Sequence, residues 1–336
     1  MLYYQNLEDI IFTKHTLLPE PDEIVIISGY LGPTPMKRLQ DLPLKVTVIG
    51  GMYSQGINPN LLKSLNLISN NNKNIELLFS TLDIHSKIYL WKKNNQIISA
   101  LIGSANFTRN GLGSDFRESL ADASSDTFKP LSQYLEAIKR KSTKEPLLSD
   151  KTQIQEYTYQ KIDNKKYNLK FKYDIPLYNK YNLVPQKSGL NWGLSNGHVA
   201  DGDAYIRIPK ILLQENQNLI PPFDDSYISE SSRLRNSDPI EIIWDDGVVM
   251  EASLEGVQKF NGLNYPKQIA SYSREMVNDQ NGERISAKSI LGRYLRNRLG
   301  VTLKETITLE TLEKYGRKTI TLSLIDDGVY FADFSV

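Results

Sequence analysis

Five polar residues between positions 85 and 118 have the types and spacing of a site that acts on phosphodiesters. His85 and Lys87 stand two apart in His-Ser-Lys, so on a strand their side chains project to the same face. Ser104 and Asn106 lie in Gly-Ser-Ala-Asn, and Glu118 follows on the next segment. An imidazole can attack phosphorus, a lysine attracts phosphate oxygens, and serine and asparagine donate hydrogen bonds to them. A carboxylate such as Glu118 can orient the imidazole, and this chemistry requires no metal.

The elements that would position these residues predict an α/β layer with a central sheet. Three short apolar runs predict buried strands, and leucines at helical spacing predict a crossover helix. These segments are 23–28, 45–49 and 75–79 for the strands and 59–69 for the helix. Residues 85–91 and 96–103 read as a hairpin, which returns Ser104 and Asn106 to the level of His85. A further helix is predicted over 129–141.

The second half of the chain predicts short strands and few helices, which is typical of a mainly-β barrel. Turns of the type Asp-Asp-Gly, at 245–247 and 326–328, separate apolar strands. One helix, about 287–299, has apolar residues on one face and basic residues on the other. A polar stretch between the halves marks the domain boundary, so we predict domains over 1–165 and 170–336.

Composition excludes several classes of protein. The chain has no cysteine, so it has neither disulfides nor thiolate zinc sites, and this fits a cytoplasmic location. Its start lacks the pattern of a signal peptide, and its apolar runs are too short to span a bilayer, so no membrane partner is expected. The net charge is +1, but residues 139–187 hold 12 basic and five acidic residues. Basic stretches of this kind are compatible with a polyanionic partner.

The string that begins at His85 resembles the active-site motif of the phospholipase D superfamily, His-x-Lys followed by Gly-Ser-x-Asn. By that resemblance the family's histidine and lysine correspond to His85 and Lys87, and its Gly-Ser-x-Asn to residues 103–106. The aspartate that commonly follows the lysine is absent, and Lys-Lys-Asn stands at 92–94. Nuclease-type members often lack this aspartate and use a later glutamate, here Glu118. The absence of the aspartate therefore argues against a lipase more than against catalysis.

The resemblance implies a homodimer, because the chain contains a single motif of this kind. Members of the superfamily place two histidines across the substrate, one as the nucleophile and one as the general acid. A chain with one motif must therefore pair two copies about a two-fold axis. In that arrangement one His85 attacks phosphorus, the second His85 protonates the leaving oxygen, and water then hydrolyses the phosphohistidine.

The whole chain resembles restriction endonucleases of the NgoFVII and BfiI type, in which a phospholipase D-like α/β domain precedes a mainly-β, B3-like DNA-binding pseudobarrel. The resemblance rests on this domain order and on segments such as Gly-Leu-Asn-Trp-Gly at 189–193. It implies two arms, near 187–207 and 259–274, that clasp the major groove of double-stranded DNA. Amide and cationic side chains suit adenine and guanine, and lysines also suit phosphates. The candidate DNA-binding residues are Lys187, Asn191, Trp192, Arg207, Lys259, Lys267, Gln268 and Arg274.

We therefore predict a metal-independent, type II-like restriction endonuclease that acts as a homodimer and needs no cofactor. Some relatives work with a separate helicase-like ATPase subunit, and such a partner stays open here. A phospholipase D-type lipid phosphodiesterase is one alternative, but it predicts a membrane-binding segment that the sequence does not contain. A non-catalytic DNA-binding protein with a relic site is another. It predicts the loss of a key residue, yet His85, Lys87 and Asn106 are all present.

Overall fold

The computed structural model describes residues 1–149, 172–223, 237–273, 276–279 and 281–336. The chain divides into two compact units, each described separately below. The first, called here the catalytic unit, consists of Met1–Tyr157 and Ile325–Val329, and the second consists of Thr158–Leu324 and Tyr330–Val336. The domain limits 1–165 and 170–336 stay a prediction, because 150–171 lies outside the described residues.

The catalytic unit is built on an eight-stranded mixed sheet, in the order β1-β7-β6-β5-β2-β3-β4-β8. Its strands are β1 Leu2–Tyr3, β2 Glu23–Ser28, β3 Lys45–Gly50, β4 Ile75–Ser80, β5 Lys87–Lys93, β6 Gln96–Gly103, β7 Leu120–Asp122 and β8 Ser142–Thr143. Its α-helices are α1 Leu7–Thr13, α2 Pro33–Arg38, α3 Pro59–Asn70, α4 Arg109–Gly113 and α5 Phe128–Arg140. The predicted α/β architecture is therefore confirmed for this part of the chain.

Burial of the central strands explains why they read as continuous apolar runs. Every residue of β2 is buried, since the strand lies inside the sheet between β3, to which it is parallel, and β5, to which it is antiparallel. Val25 and Ile27 pack in one core cluster with Leu135 and Ile138 of α5. On β2, Ile27 pairs with Ile88 of β5, so the end of β2 and the beginning of β5 lie at the same end of the sheet.

A buried ion pair joins β2 to β5. Glu23 and Lys92 lie opposite each other in the strand pairing, and their charged atoms are 2.8 Å apart. Thr47 on β3 donates a second hydrogen bond of 3.1 Å to Glu23. Burial alone would raise the pKa of Glu23, but the hydrogen bond and charge of Lys92 bring this pKa below its ordinary value. The pair is therefore a charged contact inside a largely apolar sheet.

The second unit is mainly β, as predicted. A seven-stranded sheet has the order β10-β15-β12-β11-β19-β18-β9, and β13–β14 and β16–β17 form two small ladders. The strands are β9 Lys172–Pro176, β10 Ile206–Arg207, β11 Ser237–Trp244, β12 Val249–Glu255, β13 Gln258–Phe260, β14 Leu263–Tyr265, β15 Gln268–Ser271, β16 Val277–Asn278, β17 Arg284–Ile285, β18 Thr319–Asp326 and β19 Val329–Asp333. Residues 325–329, which include the end of β18, the turn and the first residue of β19, are counted with the catalytic unit. The α-helices are α6 Lys210–Glu215, α7 Ser289–Leu299 and α8 Leu309–Tyr315. Within the described ranges no helix has the length and apolar character needed to cross a membrane.

The basic face of α7 is largely used inside the second unit. Arg296 is only 2% exposed and donates hydrogen bonds to the carbonyl oxygens of Thr302 and Glu305. Arg298 forms two parallel hydrogen bonds of 2.7 and 2.8 Å with the carboxylate of Asp245. These two arginines therefore stabilise the fold, and the sequence pattern of a helix with one basic face gave no hint of this burial.

Candidate active site

The five predicted catalytic residues converge at the end of the sheet where β5 begins and β6 ends. His85 precedes β5, and Lys87, the first residue of β5, pairs with Gly103, the last residue of β6. Ser104 is tied to the following segment in two ways, because its backbone N–H donates to Ser119 O and its Oγ accepts from Ser119 N–H. The predicted hairpin therefore brings the histidine and the Gly-Ser-x-Asn loop together.

The imidazole of His85 lies against the loop that follows β2. A Cβ built on Gly29 would be 3.0 Å from Cδ2 of His85 and 3.2 Å from Oδ1 of Asn106. The ring of Tyr30 faces the imidazole edge-on, with 6.0 Å between the ring centroids. Partial burial and the charge of Lys87 lower the pKa of His85, although Asp327 acts in the opposite direction. The neutral imidazole, which is the form that can act as a nucleophile, is therefore favoured at neutral pH.

The side chain of Asn106 is fixed by the same loop. It is 6% exposed, and its Oδ1 accepts a hydrogen bond of 3.3 Å from the backbone N–H of Tyr30. The backbone around it is held on both sides, because Tyr89 donates to Ala105 O and Phe107 N–H donates to a serine hydroxyl on β2. With its oxygen engaged, the amide of Asn106 has its NH₂ group to offer to a phosphate oxygen.

Lys87 and Glu118 form the charged floor of the site. Lys87 is 5% exposed and donates a hydrogen bond of 2.7 Å to the carbonyl oxygen of His85. Burial lowers the pKa of Lys87, and Glu118 opposes this effect. Burial raises the pKa of Glu118, while its hydrogen bond with Ser104 and the charge of Arg117 act in the opposite direction. Glu118 is thus held by Ser104, and its predicted role as the carboxylate that orients His85 stays a prediction.

Three residues beside this site, Asp327, Asn110 and Arg117, were not found from the sequence. Asp327 belongs to the short segment of the catalytic unit that comes from late in the chain, and it is the acidic group whose charge acts on His85. Its Oδ1 accepts a hydrogen bond of 3.3 Å from Nδ2 of Asn110. Oδ1 of Asn110 in turn accepts a hydrogen bond of 3.1 Å from Nη1 of Arg117. The Asp-Asp-Gly triplet indicated only a turn, so no local pattern could have placed this carboxylate here.

Three candidate DNA-binding residues of the second unit lie together where its two predicted arms meet. Arg207 on β10 pairs directly with Gln268 on β15, and Lys267 is the next residue. Arg207 and Lys267 are both exposed. Lys259 is exposed on the β13–β14 ladder, and Lys187 is exposed in the other arm. The exposed residues of this group present four cations on one domain, and the half-buried Gln268 adds an amide beside Arg207, as a nucleic-acid interface requires.

Other candidate DNA-binding residues are placed differently. Asn191 is fully buried, donates to the carbonyl oxygens of Pro185 and Ile307, and accepts from the N–H of Ile307. These bonds satisfy its amide inside the domain, so its placement gives no support to base reading. Trp192 is half-buried, and its ring contacts that of Tyr205 with centroids 5.7 Å apart. Arg274 lies outside the described residues.

Comparison with known proteins gives two family matches that together span most of the chain. The N-terminal phospholipase D domain of the NgoFVII restriction endonuclease matches residues 5–156, and the NgoFVII C-terminal B3-like DNA-binding domain matches residues 165–326. Among solved structures, NucT from Helicobacter pylori is 13% identical, with a TM-score of 0.33, over 43% of this chain and 96% of that chain. Nuc from Salmonella typhimurium, a phospholipase D family member, is 14% identical, with a TM-score of 0.33, over 44% of this chain and 97% of that chain. No curated protein sequence matches the chain.

Proposed function

Because the chain belongs to the family of the NgoFVII restriction endonuclease, and is therefore a hydrolase of DNA phosphodiesters with a B3-like DNA-binding domain, we propose that it cleaves DNA without a metal ion. The cleavage passes through a covalent phosphohistidine, and two subunits share the active site. The observation that carries the proposal is the juxtaposition of the His85 imidazole with a buried lysine and an oriented asparagine amide. These three groups supply a nucleophile, a positive charge and a hydrogen-bond donor.

The proposed reaction has two steps. In the first, an imidazole nitrogen of His85 forms a bond to phosphorus while the bond from phosphorus to one ester oxygen breaks, and His85 of the partner subunit gives that oxygen a proton. In the second, water attacks phosphorus, the nitrogen–phosphorus bond breaks, and the same partner imidazole accepts the proton of the water. Lys87 and Asn106 stabilise the charge on the non-bridging oxygens in both steps. Ser104, whose hydroxyl donates to Glu118, positions that carboxylate.

An exposed apolar strip beside the site supports the proposed dimer. Leu2 on β1 and Ile102 on β6 both pair with Ala121 on β7, so the three side chains form one row across the edge of the sheet. Leu2 is 59% exposed and Ile102 is 37% exposed. The ring of Phe116, 62% exposed, lies 5.3 Å from that of Tyr4 and adds to the strip two residues before Glu118. A second copy of the chain would cover this strip and bring the second His85 to the site.

Sedimentation of the full-length protein tests the dimer. Ile102→Glu places a charge on the strip, so we expect it to produce a monomer that has lost cleavage but keeps specific DNA binding. Leu67→Glu is the control, since Leu67 is also 59% exposed but lies on α3, away from the strip. An active monomer, either as wild type or as the Ile102 variant, would disprove the shared site.

Target recognition is assigned to the second domain. Arg207, Lys267 and Gln268 are the candidates for base edges, and Lys187 and Lys259 for phosphates. The catalytic unit then supplies cleavage that does not itself depend on sequence. A separate helicase-like ATPase subunit is a further candidate partner, since some members of this type work with one.

Plasmid cleavage in EDTA tests the proposed function. Wild-type protein should give discrete fragments with ends at one reproducible sequence, and His85→Ala should give none while still retarding the same fragments in a gel. His15→Ala, outside the site, is the matched control and should cleave. Quenched reactions should contain a protein–DNA adduct that is labile in acid and stable in alkali, as a phosphohistidine is, and His85→Ala should lack it.

Three results separate the remaining possibilities. Cleavage that needs added Mg²⁺ would refute the metal-independent mechanism. Specific retardation without cleavage, followed by cleavage when ATP and cell extract are added, would assign the missing step to a partner ATPase. Neither cleavage nor specific binding would refute the restriction-enzyme proposal.

A further inference from the structure

Two carboxylates from the segment Ile325–Val329 lie within the catalytic unit. Asp326 is 2% exposed, and its Oδ2 accepts a hydrogen bond of 2.7 Å from the hydroxyl of Tyr53. Gly328 has φ of +68°, and a Cβ built on it would lie only 2.7 Å from Cβ of Asn110. Close packing and hydrogen bonds therefore both hold this segment, and they fix the position of Asp327 between these two anchors.

The groups around Asp327 are those that bind anions. Arg117 donates to Oδ1 of Asn110, so the NH₂ group of that amide is the part that faces Asp327 and donates to it at 3.3 Å. Burial raises the pKa of Asp327, while the charges of Arg117, Lys87 and His85 act in the opposite direction. A carboxylate in this place has the negative charge and the acceptor oxygens that a phosphate group would bring.

We propose that Asn110 and Arg117 form a second anion subsite beside His85 and Lys87, that it binds the DNA phosphate next to the scissile one, and that Asp327 fills it in this structure. The inference rests on the proposed function, because the second phosphate is needed only if the substrate is a nucleic acid strand.

The chemistry of a DNA strand fits two neighbouring anion sites. Each nucleotide adds one phosphate, so a strand whose scissile phosphate lies against His85 places the next phosphate one nucleotide away from it. An amide donor and a guanidinium are the usual partners of backbone phosphates. Like charges repel, so Asp327 and the second phosphate cannot occupy the subsite together. The structure thus holds an internal competitor of the DNA backbone.

Two chromogenic esters distinguish the subsite from the catalytic centre. Bis(p-nitrophenyl) phosphate has one phosphate and reports on the catalytic centre alone, whereas p-nitrophenyl esters of short thymidine oligonucleotides add neighbouring phosphates. With the full-length protein, Arg117→Gln should raise the KM of the oligonucleotide esters, relative to that of the small ester, about tenfold. Asp327→Asn should lower the same ratio about tenfold, because the competing charge is gone.

Matched controls change the same charges elsewhere in the catalytic unit. Arg140→Gln and Asp126→Asn affect exposed side chains and should leave the ratio of KM values unchanged. Hydrolysis of the small ester that disappears in His85→Ala would support the proposed function independently. If His85→Ala loses this hydrolysis, but the ratio of KM values is the same in Arg117→Gln, Asp327→Asn and wild type, then the subsite is refuted and the proposed function is not. If wild type hydrolyses neither ester, the proposed function fails and the subsite fails with it.

Discussion

Replacing Gly29 with alanine would place a methyl group against the imidazole of His85. The new Cβ would lie 3.0 Å from Cδ2 of His85, 3.2 Å from Oδ1 of Asn106 and 3.4 Å from Cγ of Met52. Carbon atoms in contact prefer about 3.5–4.0 Å, so the imidazole must move by roughly 0.5 Å. The φ of Gly29 is not positive, so the backbone itself accepts an alanine.

The displacement predicts a larger effect on rate than on stability. A misplacement of about 1 Å in an active site can reduce a rate roughly 100-fold, so half that shift corresponds to about tenfold in kcat. Overpacking destabilises by about 1–3 kcal/mol, and the lower entropy of unfolded alanine returns about 0.4–1 kcal/mol. Gly29→Ala should therefore lower the free energy of unfolding by only about 1 kcal/mol.

Hydrolysis of bis(p-nitrophenyl) phosphate, urea unfolding and DNA retardation together test this reasoning. Specific DNA binding should be unchanged in Gly29→Ala, since the second domain is untouched. Gly50→Ala is the control for crowding alone, because its Cβ would lie 2.8 Å from the ring of Tyr53 and meet no catalytic side chain. It should lose stability and keep most of its kcat. If Gly29→Ala keeps the wild-type kcat, or if both variants lose it equally, this loop does not position the imidazole.

Three further expectations follow from the described contacts. Lys87→Met removes a cation that lowers the pKa of His85, so an NMR titration of this variant should show a higher pKa for His85 than in wild type. In wild type, the acid limb of the pH profile of kcat/KM should lie below the ordinary histidine pKa of about 6.5. Lys92→Met should lower the free energy of unfolding in urea by about 3–5 kcal/mol, because Glu23 stays charged and buried. The pKa of Glu23 is lowered in wild type, so this loss should be full at neutral pH and shrink as the pH falls, and Glu23→Gln should offset much of it. Arg207→Ala should weaken specific retardation by about 1–3 kcal/mol and leave binding to unrelated DNA nearly unchanged.

Local sequence patterns predicted the elements that build the catalytic centre. Strands β2, β3 and β4 were predicted because each is a short continuous apolar run, and such a run indicates a buried strand without any knowledge of its partners. The hairpin of β5 and β6 then determines which residues meet, because its pairing sets Lys87 opposite Gly103. Side-chain alternation along one strand therefore carried the prediction from sequence to chemistry.

Polar groups that depend on distant partners could not be predicted in this way. Asn191 has the right chemistry to read adenine, yet its hydrogen bonds run to the carbonyl oxygens of Pro185 and Ile307. Arg296 looked like part of a basic surface but is buried among carbonyl oxygens. Both residues contact segments that are remote in sequence or outside any regular pattern. Asp327 was missed for the same reason, since only the folded chain brings it beside Asn110.

The paired charges of Glu23 and Lys92 also constrain how this sequence can change over time. Lys92 stands within the stretch where related motifs commonly carry an aspartate. Lys92→Asp alone would set two carboxylates opposite each other in the buried core, so an ancestor or descendant with that aspartate must also differ at position 23. We therefore expect positions 23 and 92 to change together among sequences related to this one.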